Sequence, residues 1–294
     1  MLNSVPALSL KTRGLTAAQL RWLALFFMTL DHLAYGLLRQ LPAWGDFEPD
    51  RLLLQAWAFG DLGKAPLALA LAYWLLRAIG RLAFPLFAFL LSEGLAHSHD
   101  RARYALRVLV FAVLSDWPYA LLAREAYHFG ANVLWTLALA LLFVSLAEYI
   151  AQHWLWQEPL RSLLLPLGVF VAAFIAEVLA SDYGAMGVLT VGVLYMSRQQ
   201  RKWQIVLLLV VMLSQVSSAF WQGAGALSAL LIYAYNGRAG CRLFELWPSL
   251  RLRKGQAASD PRKSWLVGGS RYAAYVYYPL HQLLLAGLAL LLCP

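Results

Sequence analysis

Charged residues are scarce in this sequence. Only 13% of its 294 residues are Asp, Glu, Lys or Arg, whereas 61% are hydrophobic and the mean hydropathy is +0.61. A soluble domain carries roughly 25% charged residues. The low charge therefore excludes an ordinary soluble fold. Together with several long apolar runs, it predicts an all-α, polytopic membrane protein.

Cysteine is rarer still, and the motifs of several enzyme classes are missing. The two cysteines, Cys241 and Cys293, form neither a disulfide framework nor a metal-ligand pattern. The sequence also lacks Gly-x-Ser-x-Gly, His-Glu-x-x-His, phosphate-loop and dinucleotide-binding motifs. We therefore predict no metal site, and the hydrolase, metalloprotease and nucleotide-driven classes have little support.

Acidic residues are also few, with 15 against 24 basic residues and a net charge of +9. The basic residues cluster in the N-terminal arm and in loops near 101–107, 198–202 and 238–263. With about nine spans these segments all fall on one side, which the positive-inside rule makes cytoplasmic. We therefore predict a cytoplasmic N-terminus, an external C-terminus and no nucleic-acid partner.

The chain, 1–294, is expected to form a single integral membrane domain. Residues 41–79 contain several charges, and a crossing there would reverse every later basic loop, so we predict an interfacial insert on the outer side. Residues 237–270 are predicted to form a basic cytoplasmic loop near lipid headgroups, with a contact to cofactor phosphates as the alternative. The expected spans lie near 20–38, 80–96, 104–123, 132–150, 161–180, 184–197, 203–220, 223–236 and 271–292.

An Asp-His pair, Asp31-His32, interrupts the first apolar run. Ionisable side chains at the centre of a bilayer cost roughly 2.5–3.5 kcal/mol each on insertion scales, so they usually mark function. Histidine is the natural general base near neutral pH. Asp31 lies about 100° from His32 around a helix, so we expect another helix to supply the orienting carboxylate, such as Asp182 or Glu93.

Several further motifs occur in the order that is typical of one family. These motifs are Asp31-His32, Gly80 to Phe89 with Ser92-Glu93-Gly94, Asn132-Val133-Leu134-Trp135-Thr136, Asp182-Tyr183-Gly184, Tyr235-Asn236-Gly237-Arg238 and Tyr277-Tyr278-Pro279-Leu280-His281. Through them the sequence resembles the TraX family from about residue 18 to 290, and it is distantly similar to the membrane acyltransferases that modify surface sugars.

The resemblance implies an acetyltransferase of the bacterial inner membrane that takes its acetyl group from acetyl-CoA. The family's namesake acetylates the N-terminus of conjugative pilin subunits, so the expected acceptor is a pilin-like protein. The wider superfamily implies an envelope glycan hydroxyl instead. A proton-coupled transporter that uses the intramembrane Asp, Glu and His residues is a further alternative, and so is an assembly factor without chemistry.

The resemblance also suggests roles for individual residues. Superfamily members carry a basic residue and a histidine on the first helix, at the spacing of Arg21 and His32, and an Arg shortly before a Pro near the CoA phosphates. Arg81 and Pro85 match the second pattern, but our topology places Arg81 on the outer side, so we predict a binding role without naming its ligand. The expected catalytic residues are His32, His281 and Asp31, and the expected binding or orienting residues are Arg81, Glu93, Asn132, Asp182 and Tyr183.

Overall fold

A computed structural model describes residues 14–44, 67–124, 126–153, 157–215, 220–238 and 261–293. Over these residues the chain is helical, and its β-type pairing is limited to an isolated bridge between Leu15 and Tyr235. The all-α prediction is therefore confirmed for the described part of the chain. The helices are α1 (Ala17–Gly36), α2 (Leu67–Gly80), α3 (Ala83–Ala96), α4 (Arg101–Ala123), α5 (Val133–His153), α6 (Glu158–Val178), α7 (Gly184–Met196), α8 (Arg201–Ser214), α9 (Ser228–Tyr233) and α10 (Pro261–Leu292).

The apolar helices of the described residues indicate a multi-pass membrane protein. Five stretches are long and apolar enough to cross a bilayer, and Gly184–Met196 and Gln222–Tyr233 are shorter apolar helical segments. The count of about nine spans and the orientation of the termini stay predictions. The five stretches are Leu67–Ala96, Arg101–Ala123, Val133–His153, Glu158–Val178 and Tyr272–Leu292.

Two expected boundaries differ from the structure. The span predicted to begin near residue 80 belongs to an apolar stretch that begins at Leu67, because α2 continues into α3 across the short break Arg81-Leu82. Helix α10 begins at Pro261, so the end of the predicted loop 237–270 is helical. Two parts of these predictions lie outside the described residues. They are residues 45–66 of the insert and residues 239–260 of the loop.

A capping box fixes the start of α1. The Thr16 hydroxyl accepts a hydrogen bond from the Gln19 amide at 3.3 Å, and the Gln19 side chain accepts one from the Thr16 amide at 2.8 Å. Such reciprocal bonds satisfy amides that have no partner within the helix. Thr16 therefore marks the point at which the chain enters the helix.

The segment before α1 is held by the family motif at 235–238. The Leu15 amide donates to the Ala234 carbonyl at 2.8 Å, and the Asn236 amide donates back to the Leu15 carbonyl at 2.9 Å. The Asn236 side chain adds a bond to the Gly14 carbonyl at 3.1 Å. This motif therefore anchors the N-terminal end of α1 instead of contributing to a reactive site.

Six of the helices form a closed ring. Helix α1 packs on α10, α10 on α4, α4 on α5, α5 on α7, α7 on α3, and α3 back on α1. A continuous apolar core, which includes Leu86, Phe89, Leu141 and Leu194, links these helices. Helix α2 extends α3 and packs against the end of α1 through Trp44, Tyr73 and Trp74.

Helix α1 passes very close to the end of α2 at Gly80. A Cβ atom added to Gly80 would lie 2.8 Å from the Asp31 Cα atom and 2.4 Å from its Cβ atom. Because a backbone atom cannot rotate away as a side chain can, any larger residue must push the two helices apart.

We expect Gly80→Ala to lower the free energy of unfolding by about 1–3 kcal/mol, the usual cost of overpacking. Gly287→Ala in α10 is the matched control, because nothing lies within 4 Å of its added Cβ atom and Ala is favoured over Gly within a helix. Thermal unfolding in detergent micelles measures both. Equal melting temperatures for the two variants would contradict the close approach.

Candidate functional site

The ring of helices encloses a cavity of about 310 Å³. Polar residues lie at its two ends, and apolar residues such as Met28, Phe87 and Leu137 line the part between them. Helix α1 runs along the cavity wall from Arg21 to His32, and α3 runs beside it. One end is lined by Asp31, His32, Arg81, Asp182 and Tyr183, and the other by Arg21, Gly94, Tyr104, Arg107 and Tyr275.

Asp31 pairs with two arginines from the end of α2 and the break that follows it. Arg77 Nη1 donates to Asp31 Oδ2 at 2.8 Å, and Arg81 Nε lies 3.8 Å from Asp31 Oδ1. All three side chains are largely buried, so each charge depends on the others. Asp31 therefore faces the arginines and not its neighbour His32.

Arg81 also reaches across the cavity to Tyr183. Its Nη1 donates to the Tyr183 hydroxyl oxygen at 2.8 Å, and the Tyr183 ring stacks on Phe84 with centroids 3.9 Å apart and planes 13° apart. Since a guanidinium can only donate, the Tyr183 oxygen is the acceptor and its own O–H remains free to donate. Arg81 and Tyr183 thus offer donors at the same end of the cavity as His32.

The turn that carries Asp182 and Tyr183 is tightly constrained. Tyr183 has φ +64°, a left-handed conformation that is uncommon for a residue with a side chain. The Thr136 hydroxyl of α5 donates to the Asp182 carbonyl and lies 2.9 Å from the Ser181 hydroxyl. The Asp182 amide donates to the Ala131 carbonyl at 2.9 Å. These bonds fix Asp182 and Tyr183 at the cavity wall.

His32 bonds to a second histidine and not to a carboxylate. Its Nδ1 atom lies 2.6 Å from His281 Nε2, and His281, on α10, is 4% exposed. His281 lies behind His32 and does not line the cavity. The expectation that Asp182 or Glu93 orients His32 is therefore replaced by a histidine–histidine contact between α1 and α10.

Glu93 lies outside the site. It is about 18 Å from Arg81 along the axis of α3, towards the Arg21 end, and does not line the cavity. Its backbone carbonyl bonds to the His97 ring at 2.8 Å.

Asn132 belongs to a separate buried network between α4 and α5. Its amide nitrogen donates to Asp116 Oδ1 at 2.5 Å and to the Ala112 carbonyl at 2.8 Å. Asp116 also accepts from the Trp135 indole at 3.0 Å and from the Gly130 amide at 3.3 Å. Asn132 therefore orients a structural carboxylate instead of a ligand.

The comparisons with known proteins agree with the motif order. The TraX protein family matches residues 16–289 of the chain. The chain belongs to the TraX family. It is 30% identical over 223 residues to the probable fimbrial assembly protein FimC, serogroup H1, of Dichelobacter nodosus, and the match covers 72% of this chain and 82% of that protein. No solved structure matches the chain.

In this TraX family member, sequence reasoning missed Arg77 and the Arg107 end of the cavity. Arg77 fell within the predicted surface insert, although its spacing of four residues from Arg81 puts both on one helix face. The sequence analysis used Arg107 only as one of the basic loop residues that predict the orientation of the protein in the membrane. Arg107 lines the cavity together with Tyr104 and Tyr275, and its guanidinium lies 5.3 Å from the centroid of the Tyr272 ring.

We expect Asp31→Ala to destabilise the protein by about 3–5 kcal/mol, because it leaves Arg77 and Arg81 buried without their carboxylate. Removing Arg77 as well should restore part of the loss. A double-mutant cycle for the pair, followed by unfolding in micelles, measures the coupling energy. The exposed pair Asp100–Arg103, 3.2 Å apart, is the control and should show less than about 1 kcal/mol. A coupling no larger than in this control would contradict a structural role for the buried pair.

Proposed function

We propose that this protein transfers the acetyl group of acetyl-CoA to the N-terminal amine of a pilin-like subunit. The observation that carries the proposal is the single cavity that joins a buried histidine, His32, to two arginines, Arg21 and Arg107. Membership of the TraX family and the similarity to a fimbrial assembly protein support a pilin-like acceptor.

The Arg21 end of the cavity has the chemistry that CoA requires. Two guanidinium groups suit the phosphates of the nucleotide, and the rings of Tyr104 and Tyr275, which line this end, suit an adenine. The positive-inside rule predicts that this end faces the cytoplasm, where CoA is available. Arg21 and His32 are about 16 Å apart along α1, so an extended donor would carry its thioester from the arginines towards the histidine.

The two ends of the cavity support a role for Arg81 that agrees with the predicted topology. Arg81 lines the same cavity as Arg21 but at the opposite end. In the proposed reaction Arg81 therefore acts on the reacting end of the donor and not on its phosphates.

The residues around His32 can carry out acyl transfer without a covalent enzyme intermediate. The acceptor nitrogen attacks the thioester carbonyl carbon, and His32 Nε2 takes the proton that the nitrogen loses. The negative charge that develops on the carbonyl oxygen is met by Arg81 and the Tyr183 hydroxyl. The carbon–sulfur bond then breaks, and the thiolate takes the proton from His32. The products are the acetylated amine and CoA thiol, and His32 is neutral again.

We expect the purified protein in nanodiscs, given acetyl-CoA, to add one acetyl group to a peptide with a pilin N-terminal sequence, as measured by mass spectrometry. His32→Gln should lower kcat by at least about 100-fold, the typical contribution of a general base. His153→Gln, at an exposed position near the end of α5, should leave kcat unchanged.

A product on an envelope glycan but not on the peptide would overturn the acceptor class. Full activity of His32→Gln would overturn the assignment of the base. Proton-coupled uptake of a solute by proteoliposomes without acetyl-CoA, together with no acetylated product, would favour the transporter alternative instead.

The donor end makes a separate prediction. We expect Arg107→Gln to raise KM for acetyl-CoA about tenfold or more, because a charged hydrogen bond is worth roughly 1.5–3 kcal/mol. KM for acetyl-pantetheine, which lacks the nucleotide, should not change. Arg103→Gln on the same helix is the control, since Arg103 is exposed and pairs with Asp100. An equal rise in KM for both donors would show that Arg107 does not bind the nucleotide.

A further inference from the structure

The backbone of α10 determines which nitrogen of His281 carries a proton. His281 Nδ1 lies 2.8 Å from the backbone carbonyl oxygen of Tyr277. A carbonyl oxygen can only accept a hydrogen bond, so Nδ1 must be the protonated nitrogen. In the neutral ring, His281 Nε2 is then left with a lone pair that can only accept.

The contact between the two histidines passes this constraint on to His32. His32 Nδ1 lies 2.6 Å from His281 Nε2, the ring planes differ by 10°, and the ring centroids are 4.9 Å apart. The centroid separation is the N···N distance plus one centroid-to-nitrogen distance for each ring. This sum is reached only when both nitrogens lie on the line that joins the two centroids. The hydrogen bond therefore lies along the line of centroids, in the plane of both rings, which is the favourable geometry.

The direction of this bond follows from the acceptor. Since His281 Nε2 accepts, His32 Nδ1 carries the proton and donates it, and His32 Nε2 keeps its lone pair. His32 lines the cavity, and no hydrogen bond joins Nε2 to any described residue. The nitrogen that is free to act as a base therefore belongs to the residue that faces the cavity.

His281 is itself held by its neighbours. The Tyr277 ring lies nearly parallel to it, with planes 4° apart and centroids 4.9 Å apart. The Thr29 hydroxyl donates to the Leu25 carbonyl at 2.8 Å, so in its 2.7 Å contact with the Tyr277 hydroxyl it acts as the acceptor. This second bond between α1 and α10 fixes the register that brings the histidines together.

We infer that His281 is a positioning residue that holds His32 in the Nδ1-protonated tautomer and leaves His32 Nε2 as the base. The role in catalysis rests on the proposed function, whereas the tautomer does not. When Nε2 takes a proton from the acceptor, the bond from Nδ1–H to His281 becomes charge-assisted and stronger. His281 thus stabilises the His32 cation without touching the substrate.

A neutral partner suits this site better than a carboxylate. The nearest carboxylate, Asp31, is already paired with Arg77 and Arg81, and a further buried charge would carry its own desolvation cost. An imidazole orients His32 through one hydrogen bond and adds no net charge to the apolar interior.

The tautomers can be read directly from ¹⁵N chemical shifts of histidine-labelled protein in nanodiscs. We expect both His32 and His281 to be protonated on Nδ1 in the wild-type protein. In His281→Phe, His32 should change to the Nε2-protonated tautomer, which free histidine prefers. In His281→Gln the amide oxygen can accept in place of Nε2, so His32 should keep its proton on Nδ1. An Nε2-protonated His32 in the wild type, or an unchanged tautomer in His281→Phe, would overturn the inference.

Kinetics with the same variants test the link to turnover. We expect His281→Phe to lower kcat about 100-fold with little change in KM for acetyl-CoA, and His281→Gln to recover most of the loss. Equal losses in both variants would overturn the positioning role.

His153→Phe is the matched control. Like His281, His153 has its Nδ1 atom close to the carbonyl oxygen of a tyrosine four residues earlier, here Tyr149 at 2.9 Å. The two ring centroids are 4.3 Å apart, but His153 is exposed. The kcat of His153→Phe should equal that of the wild type, and a loss like that of His281→Phe would overturn the inference. Because the tautomers are measured without turnover, a protein that acetylates nothing would overturn the proposed function and leave the tautomer result intact.

Discussion

The buried ion pair between Asp31 and Arg77 fixes how the first helix meets the rest of the ring. A carboxylate in an apolar interior needs a cation within reach, and Arg77 pairs with Asp31 where the two helices come very close. The absence of a side chain at Gly80 permits that approach. The same contact turns His32 towards the cavity and brings Arg81 to its wall. The arrangement of the His32 end of the cavity thus depends on one buried ion pair and on the absence of a side chain at Gly80.

Local patterns in the sequence were enough to predict the class of fold. Hydropathy indicated apolar helices, and the order of short motifs indicated the family. Helix α2 and its continuation into α3 across Arg81-Leu82 were not predicted. The reason is that the charges in the region 41–79 resemble those of a solvated segment. Asp31, the partner of Arg77, lies 46 positions earlier, so the sequence alone gives no sign that Arg77 is neutralised.

The sequence singled out both histidines, but it showed neither their contact nor most of the residues that line the cavity. His32 and His281 were both expected to be catalytic, yet their separation of 249 positions hides their direct contact. Asn132 and the motif at 235–238 follow the family pattern as clearly as His32 does, but both serve structure. The motifs alone therefore do not separate residues that stabilise the fold from residues that line the cavity, whereas the contacts do.

Helix α1 carries Arg21 and His32 on one rigid rod, with ten residues between them. An α-helix advances about 1.5 Å and turns about 100° with each residue. One inserted residue would barely lengthen the path between the two side chains, but it would swing His32 away from the cavity. Helix α1 therefore sets both the distance between the Arg21 and His32 side chains and the direction in which each of them points.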